Sequence, residues 1–390
     1  MKIAVAKEIG PNERRVAVTP DSVRQIKAAG HEVLVEAGAG AGAYLEDRAY
    51  QEAGASISAG PAELWRESEV ILKIQPPLPN PSLGTHEADL VNEGATLICM
   101  LRPLSHVDVV RMLAKRRVTS FSMDMMPRST RAQRMDALSS MSTIAGYKAV
   151  LMAGDTLPRL FPMLVTAAGT IAPSRVLVVG AGVAGLQAIA TARRLGAVVE
   201  GYDVRPAVKE EVESLGATFV GPQLTESDAQ DAQGYAKPLS AEAQKKGMQM
   251  LHERAALADV VITTARVPGL PAPRLIPAEV VARMKPGSVI VDLAADMGGN
   301  CELTEPGETV VRHNVTIHGP VRLAGTVPVH ATQMYSRNIT AFLLHLTKEG
   351  TLHFDWADEI TNATCVTRDG EIVNAATRLR AEGAATAAAG

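Results

Sequence analysis

Along the first 125 residues, short apolar runs alternate with amphipathic stretches. "KIAVAK", "HEVLVEAG", "EVILKIQPP", "GATLICML" and "RVTSFSMD" read as strands, short and rich in β-branched residues. Between the first two, "PDSVRQIKAAG" reads as a helix that opens on Pro20 or Asp21 and stops at Gly30. Strands that alternate with helices argue for a parallel sheet with helices on its faces. The rhythm restarts near residue 141, where "RVLVV", "AVVEGYD", "GATFV", "ADVVITTA", "GSVIVDLAA" and "NVTIHG" form a second strand set. "HATQMYSRNITAFLLHL" then returns to helical period. The residues beyond it are too few to fold alone and are expected to rejoin the first domain, apart from a mobile low-complexity end, "AEGAATAAAG".

Composition narrows the class. With 46% hydrophobic and 21% charged residues, the chain is a folded globular protein rather than a disordered one. A formal net charge of −3 supplies no basic field for nucleic acid, and 3% aromatics supply no base-stacking platform. The N-terminus reads as a strand, and no run of 18 apolar residues occurs, so direct membrane insertion is not expected. The 3 cysteines (Cys99, Cys301, Cys365) stand apart, and the 9 histidines show no ligand spacing, so neither a disulfide nor a metal site is expected.

One segment carries cofactor chemistry. Gly180-Ala181-Gly182-Val183-Ala184-Gly185 follows the strand "RVLVV" and opens the helix "VAGLQAIATARRLG". The first glycine permits a tight turn, the second lets the backbone approach a pyrophosphate, and the third allows close helix–strand packing. The helix N-terminus adds unpaired N–H groups. Asp203 lies 18 residues beyond Gly185, at the end of the next strand, where a carboxylate would accept both ribose hydroxyls and repel a 2′-phosphate. NAD is favoured over NADP, although Arg205 two residues on can attract a phosphate. "GAGAGA" (38–43) lacks a helix immediately behind it and reads as a turn. The polar stretch between "GATFV" and "ADVVITTA" is partly helical, but around Gly234-Tyr235 it exceeds an ordinary β/α connection and is expected to act as a lid. The expected fold is α/β, with two doubly wound Rossmann-like domains, parallel sheets and an inter-domain cleft. The first comprises 1–140 plus 327–390, and the second 141–326.

A substrate site in the first domain is less well marked. Arg15 and Lys73 lie at strand ends, where they could hold a 2-oxo acid or form surface or inter-domain ion pairs. Arg102 follows the fourth strand, where an acid–base histidine would be useful, and arginine keeps its proton. Oxidising an alcohol or amine requires disposal of a proton as well as a hydride. Hydride exchange between two nicotinamides requires none at the reacting carbons, and the missing shuttle favours that reaction. The remaining stretch, "PRSTRAQRMDALSSMSTIAGYKAV" (127–150), is expected to be one helix, with Met135, Leu138 and Met141 packed and Gln133, Asp136 and Ser139 on one face. Arg128 lies just ahead of it. Arginine, glutamine and aspartate together supply the donors and acceptors that a carboxamide needs.

These motifs, with "GYAK", "DLAADMGGNC" and "CVTRDG", resemble the NAD(H)-binding alpha component (domain I) of proton-translocating NAD(P) transhydrogenases over nearly the whole chain. The resemblance implies Si-specific direct hydride transfer between NADH and NADP(H) bound on a partner, coupled to proton translocation. It implies a homodimer, docked from the cytoplasm onto membrane-embedded subunits of the inner membrane. It places Arg128, Gln133, Asp136 and Ser139 around the nicotinamide. Gly180, Ala181, Gly182, Val183, Gly185, Asp203, Val204, Arg205 and Ala265 fall along the dinucleotide, with Tyr235 closing over the adenosine. Alanine dehydrogenases share the fold and have counterparts of Arg15, Lys73 and Asp296, with a catalytic histidine near position 102. An alanine-dehydrogenase-like enzyme and a non-catalytic NAD-sensing module are the competing readings.

Overall fold

A computed structural model describes residues 1–222, 240–267 and 269–388. The chain divides into two compact units, Met1–Met141 with Gly325–Gly390 and Ser142–Ala324.

The first unit is built on an eight-stranded sheet. Six parallel strands, taken in chain order as Lys2–Val5, Glu32–Glu36, Ser56–Ser58, Val70–Leu72, Thr96–Cys99 and Thr119–Ser122, lie in the spatial order 3-2-1-4-5-6. Cys365–Arg368 and Glu371–Ile372 extend the far edge antiparallel, with a register shift between Cys365 and Thr367. Val70–Leu72 and Thr96–Cys99 are buried throughout, as a sheet covered on both faces requires. The helix Pro20–Ala28 opens on a Thr19 cap with proline in its first turn. Ser56–Ser58 is a strand that the sequence reading misses, because three residues with two serines carry no apolar run.

The second unit repeats the winding. Arg175–Val179, Val198–Tyr202, Thr218–Val220, Val260–Thr263, Val289–Asp292 and Val315–His318 run parallel in the same 3-2-1-4-5-6 order, with Thr309–Arg312 antiparallel at the edge. The four central strands, among them Val260–Thr263 and Val289–Asp292, are hydrophobic over most of their length, and helices cover them. Gly146 on the helix Ala137–Thr156 sits where a Cβ would lie 2.1 Å from the Ala184 carbonyl, so this crossing admits only glycine. An antiparallel hairpin, Leu164–Thr166 with Gly169–Ile171, is exposed at every residue. The C-terminal stretch expected to be mobile continues as helix Ala375–Ala388.

Candidate functional site

In an open α/β sheet, ligands bind outside the carboxyl ends of the strands where the winding reverses. In the second unit that point lies between Arg175–Val179 and Val260–Thr263. The glycine loop leaves the first of these strands and Thr264-Ala265 leaves the other. Gly180 has φ +96°, and a Cβ there would meet Thr264 Oγ1 at 2.6 Å. A Cβ on Gly185 would stand 1.7 Å from the Gly180 carbonyl, so helix and strand touch there. Around Gly182 nothing lies within 4 Å of a Cβ. The backbone is bare at the one position where a pyrophosphate must come close. Gly182 is also the N-cap of the helix Val183–Arg194 and supplies no side-chain cap, so the first-turn N–H groups meet no capping side chain. Val183 beside it is exposed.

Asp203 is buried at the end of Val198–Tyr202 and ties this loop to its neighbours. Its Oδ2 accepts from the Ala181 amide at 2.8 Å and from Arg205 Nη2 at 2.8 Å. Its Oδ1 accepts from the Arg205 amide and Nε, both at 2.9 Å. A carboxylate offers about four lone-pair sites, and all are in use. This modifies the simple expectation for Asp203. A ribose diol reaches the carboxylate only by displacing the guanidinium. The hydrogen bond to Asp203 raises the Arg205 pKa against the opposing effect of burial. Tyr202, pushed up to about 12 by burial and then by Asp203, stays a neutral phenol. Val204 is half-buried between the two charged residues.

Ala265 is held by a residue that motif reading did not single out. Asn300, fully buried, accepts from the Ala265 amide at 3.0 Å and donates to its carbonyl at 2.9 Å, with a second bond to the Pro273 carbonyl at 2.9 Å. The peptide beside the glycine loop is thus fixed in both senses. Asn300 stands inside "DLAADMGGNC", and the motif was its only signal. Asp296 of the same stretch pairs with Arg266 at 2.7 Å. Tyr235 lies outside the described residues, as does most of the expected lid.

The "PRSTRAQ" stretch differs from expectation. Residues 127–136 are not helical throughout. A single 3-10 turn, Gln133–Met135, is followed by Asp136 at ψ 85°, and the α-helix begins at Ala137. The cause is Asp136 itself, whose carboxylate accepts from the Ser139 amide at 2.8 Å and the Ser139 hydroxyl at 2.5 Å. That is an N-cap, which needs non-helical backbone at the capping residue. Asp136 and Ser139 are brought together, while Gln133 and Arg128 are exposed on the turns ahead of them. Met141 is buried, but Leu138 is 39% exposed and does not pack as expected.

The first unit has its own winding reversal, between Lys2–Val5 and Val70–Leu72. Lys73 and Glu8 stand there, both buried. Lys73 Nζ lies 3.3 Å from Glu87 and 3.5 Å from Glu8. Glu8 accepts from the Ile74 amide at 2.6 Å and Glu87 from the Leu78 amide at 2.9 Å. Arg15 is bidentate to Glu13 at 2.5 and 2.7 Å, Gln75 donates to Glu13 at 2.8 Å, and Arg102 donates to Gln75 at 3.2 Å. Both cations therefore form ion pairs, buried inside the unit rather than on its surface. Burial would lower the Lys73 pKa, but Glu8 and Glu87 more than offset it. Burial carries Glu8 and Glu87 above the usual carboxylate range despite Lys73. Burial acts the same way on Glu13, but Arg15 and Gln75 reverse it and hold that carboxyl low. Among the described residues no His/Cys/Asp/Glu group could hold a metal ion, and no helix is long and apolar enough to cross a membrane.

A bare glycine turn and an uncapped helix start, at the winding reversal of a parallel sheet, define a dinucleotide-binding α/β protein. Comparison with known proteins makes this particular: the chain belongs to the alanine dehydrogenase/PNT family, whose N-terminal domain matches residues 4–145 and whose C-terminal domain matches 149–375. It is 48% identical over 379 residues to the first of the separately encoded pieces of NAD(P) transhydrogenase subunit alpha in Rhodospirillum rubrum, covering 96% of this chain and 98% of that one. The transhydrogenase structure from Sinorhizobium meliloti superposes with a TM-score of 0.84 at 42% identity, covering 96% of this chain and 100% of that one. An L-alanine dehydrogenase structure superposes at 0.82 with 27% identity, covering 98% and 99%. Membership of this family implies NAD(H) binding.

Proposed function

We propose that this chain is the NAD(H)-binding component of a proton-translocating NAD(P) transhydrogenase. The observation that carries the reading is the near full-length identity to a piece of a transhydrogenase alpha subunit. The first unit's winding reversal supports it, because carboxylates of the chain itself already hold both of its cations. The bare backbone at Gly182 fits a pyrophosphate. Gly180, Ala181, Gly182, Val183 and Gly185 would cradle it, Ala265 would line the far wall, and Asp203 would take the ribose as Arg205 swings aside. The dinucleotide supplies the hydride. Arg128, Gln133, Asp136 and Ser139 would bind and orient the nicotinamide carboxamide and its ribose, and no side chain here needs to move a proton at the reacting carbon.

The partner would be a membrane-embedded set of subunits with an NADP(H)-binding domain, and the chain would sit peripherally on the cytoplasmic face of the inner membrane. A homodimer fits the exposed hairpin, where Met163, Val165 and Ile171 are 58, 71 and 47% exposed. An apolar two-stranded ribbon is marginal in water unless something covers it.

The alternative is an alanine-dehydrogenase-like activity, which the 0.82 superposition keeps in view. It would need Arg15 and Lys73 released from their carboxylates. One assay separates the two. Alanine with NAD⁺ should yield no NADH from the purified chain. NADH with NADP⁺ should react once membranes bearing an NADP(H)-binding partner are added. The converse pair of results would hand the chain to the alternative.

A further inference from the structure

The stretch that carries Arg128, Gln133 and Asp136 is secured poorly from within. Its backbone bonds are short-range turns, such as Ala132 to Ser129 at 3.0 Å and Met135 to Ala132 at 2.8 Å. Turns of that kind set curvature but not placement. Placement comes from the chain's last segment, at two points. Asn338, buried on the helix Pro328–His345, donates through Nδ2 to the Arg134 carbonyl at 2.9 Å. Asp358 Oδ1 accepts from Arg131 Nη2 at 2.6 Å. Asp358 is itself held in place. Its Oδ2 caps the helix Glu359–Thr364 through the Ile360 and Thr361 amides, both at 3.0 Å, and takes His345 Nε2 at 3.0 Å. The two anchors grip residues 131 and 134, on either side of Gln133.

We propose that Asn338 and Asp358 are positioning residues for hydride transfer, setting where Gln133 and its neighbours present their polar groups. This rests on the reading that these neighbours hold the nicotinamide. A surface pair such as Arg131–Asp358 contributes little to stability. A shift of about 1 Å at a reacting group can nevertheless cost roughly a hundredfold in rate. The anchors should therefore show in turnover more than in folding or affinity.

The test compares Asn338→Asp, Asp358→Asn and Gln133→Ala in the full chain with its membrane partner. Asn338→Asp keeps the shape but sets an oxygen against the Arg134 carbonyl. Asp358→Asn keeps an acceptor for the helix cap and removes the charge that Arg131 meets. The expected result is a fall in NADH-to-NADP⁺ transfer of about tenfold for Asn338→Asp and about threefold for Asp358→Asn, with the NADH Kd moving less than about threefold. Hydrogen exchange should accelerate over 127–136 in both variants. Should Gln133→Ala slow transfer while both anchor variants turn over normally, the anchors are only structural and the proposal is overturned. Should Gln133→Ala also be silent, the nicotinamide reading itself fails and takes the proposal with it. Equal losses in Kd and turnover would overturn it too, since a positioning role predicts the split.

Discussion

Two sheets of the same winding order present two reversal points, and the chain uses them in opposite ways. In the second unit the point is left bare. Glycine supplies backbone without side chain, a helix start supplies uncapped amides, and the nearest charge, Asp203, is balanced by Arg205. In the first unit the same point is filled, with Lys73, Glu8, Glu87, Arg15 and Glu13 packed at 0–4% exposure and paired among themselves. Bare amides can meet a ligand at no cost in broken bonds. Buried ion pairs can meet one only by giving up partners, and an unpaired buried charge costs several kcal/mol. The fold alone therefore does not decide which crevice binds. The side chains at its floor do.

The largest effect should come from breaking the filled point. Lys73→Met leaves two carboxylates facing each other without a cation and should cost about 3–5 kcal/mol in the first unit. The chain's 2 tryptophans, Trp65 and Trp356, both lie in that unit, so their fluorescence in a urea titration reads it directly. A loss below about 1 kcal/mol would mean that the pairs contribute little and the point is looser than its geometry.

The bare point should separate its glycines. Gly185→Ala drives a Cβ against a backbone carbonyl and should destabilise the second unit by about 3 kcal/mol. Gly182→Val meets nothing in the protein, so it should melt like the parent and bind NADH at least about tenfold more weakly, a difference of about 1.4 kcal/mol. Calorimetry beside a fluorescence titration gives both numbers, and a Gly182 variant that binds normally would move the pyrophosphate elsewhere.

How the nucleotide preference arises is open to a finer test. Arg205→Ala releases Asp203 for the ribose and should sharpen the preference for NADH over NADPH. Asp203→Ala removes hydrogen bonds worth roughly 1.5–3 kcal/mol each and should erase that preference. Unchanged ratios in both variants would detach this pair from recognition.

The smallest effect is on pH. Glu8 and Glu87 have carboxyls raised in the folded state, so the native chain holds protons that the unfolded chain has lost. Their contribution is full below the usual carboxylate range and fades as pH rises through the raised values, by at most about 1.4 kcal/mol per pH unit for one proton. Glu13, held low, acts oppositely and loses its contribution in acid. Glu8→Gln should flatten the decline on the alkaline side, and an unchanged slope in denaturation curves between about pH 4 and 8 would contradict this.

The fold class was legible because both strand sets carry buried β-branched runs, and the glycine turn was legible because its spacing between strand and helix is local. What escaped was whatever depends on a partner distant in sequence. Asn300 reaches Ala265 across 35 residues, and Glu87 reaches Lys73 across 14. Asp136 was misjudged for a subtler reason. Its spacing from Gln133 and Ser139 fits a helix face, but the same spacing puts its carboxylate on the third amide of a helix beginning after it. Periodicity does not distinguish a face from a cap.

If the bare point holds NAD(H) for transfer to a second nicotinamide, and the filled point does no chemistry, the hydride should never exchange with solvent. The decisive experiment mixes NADH deuterated at both C4 positions of its nicotinamide with NADP⁺, this chain and partner membranes in ordinary water. Direct transfer requires that the deuterium be recovered in NADPH without dilution by solvent hydrogen. Label lost to water, or NADPH formed without it, would contradict direct transfer.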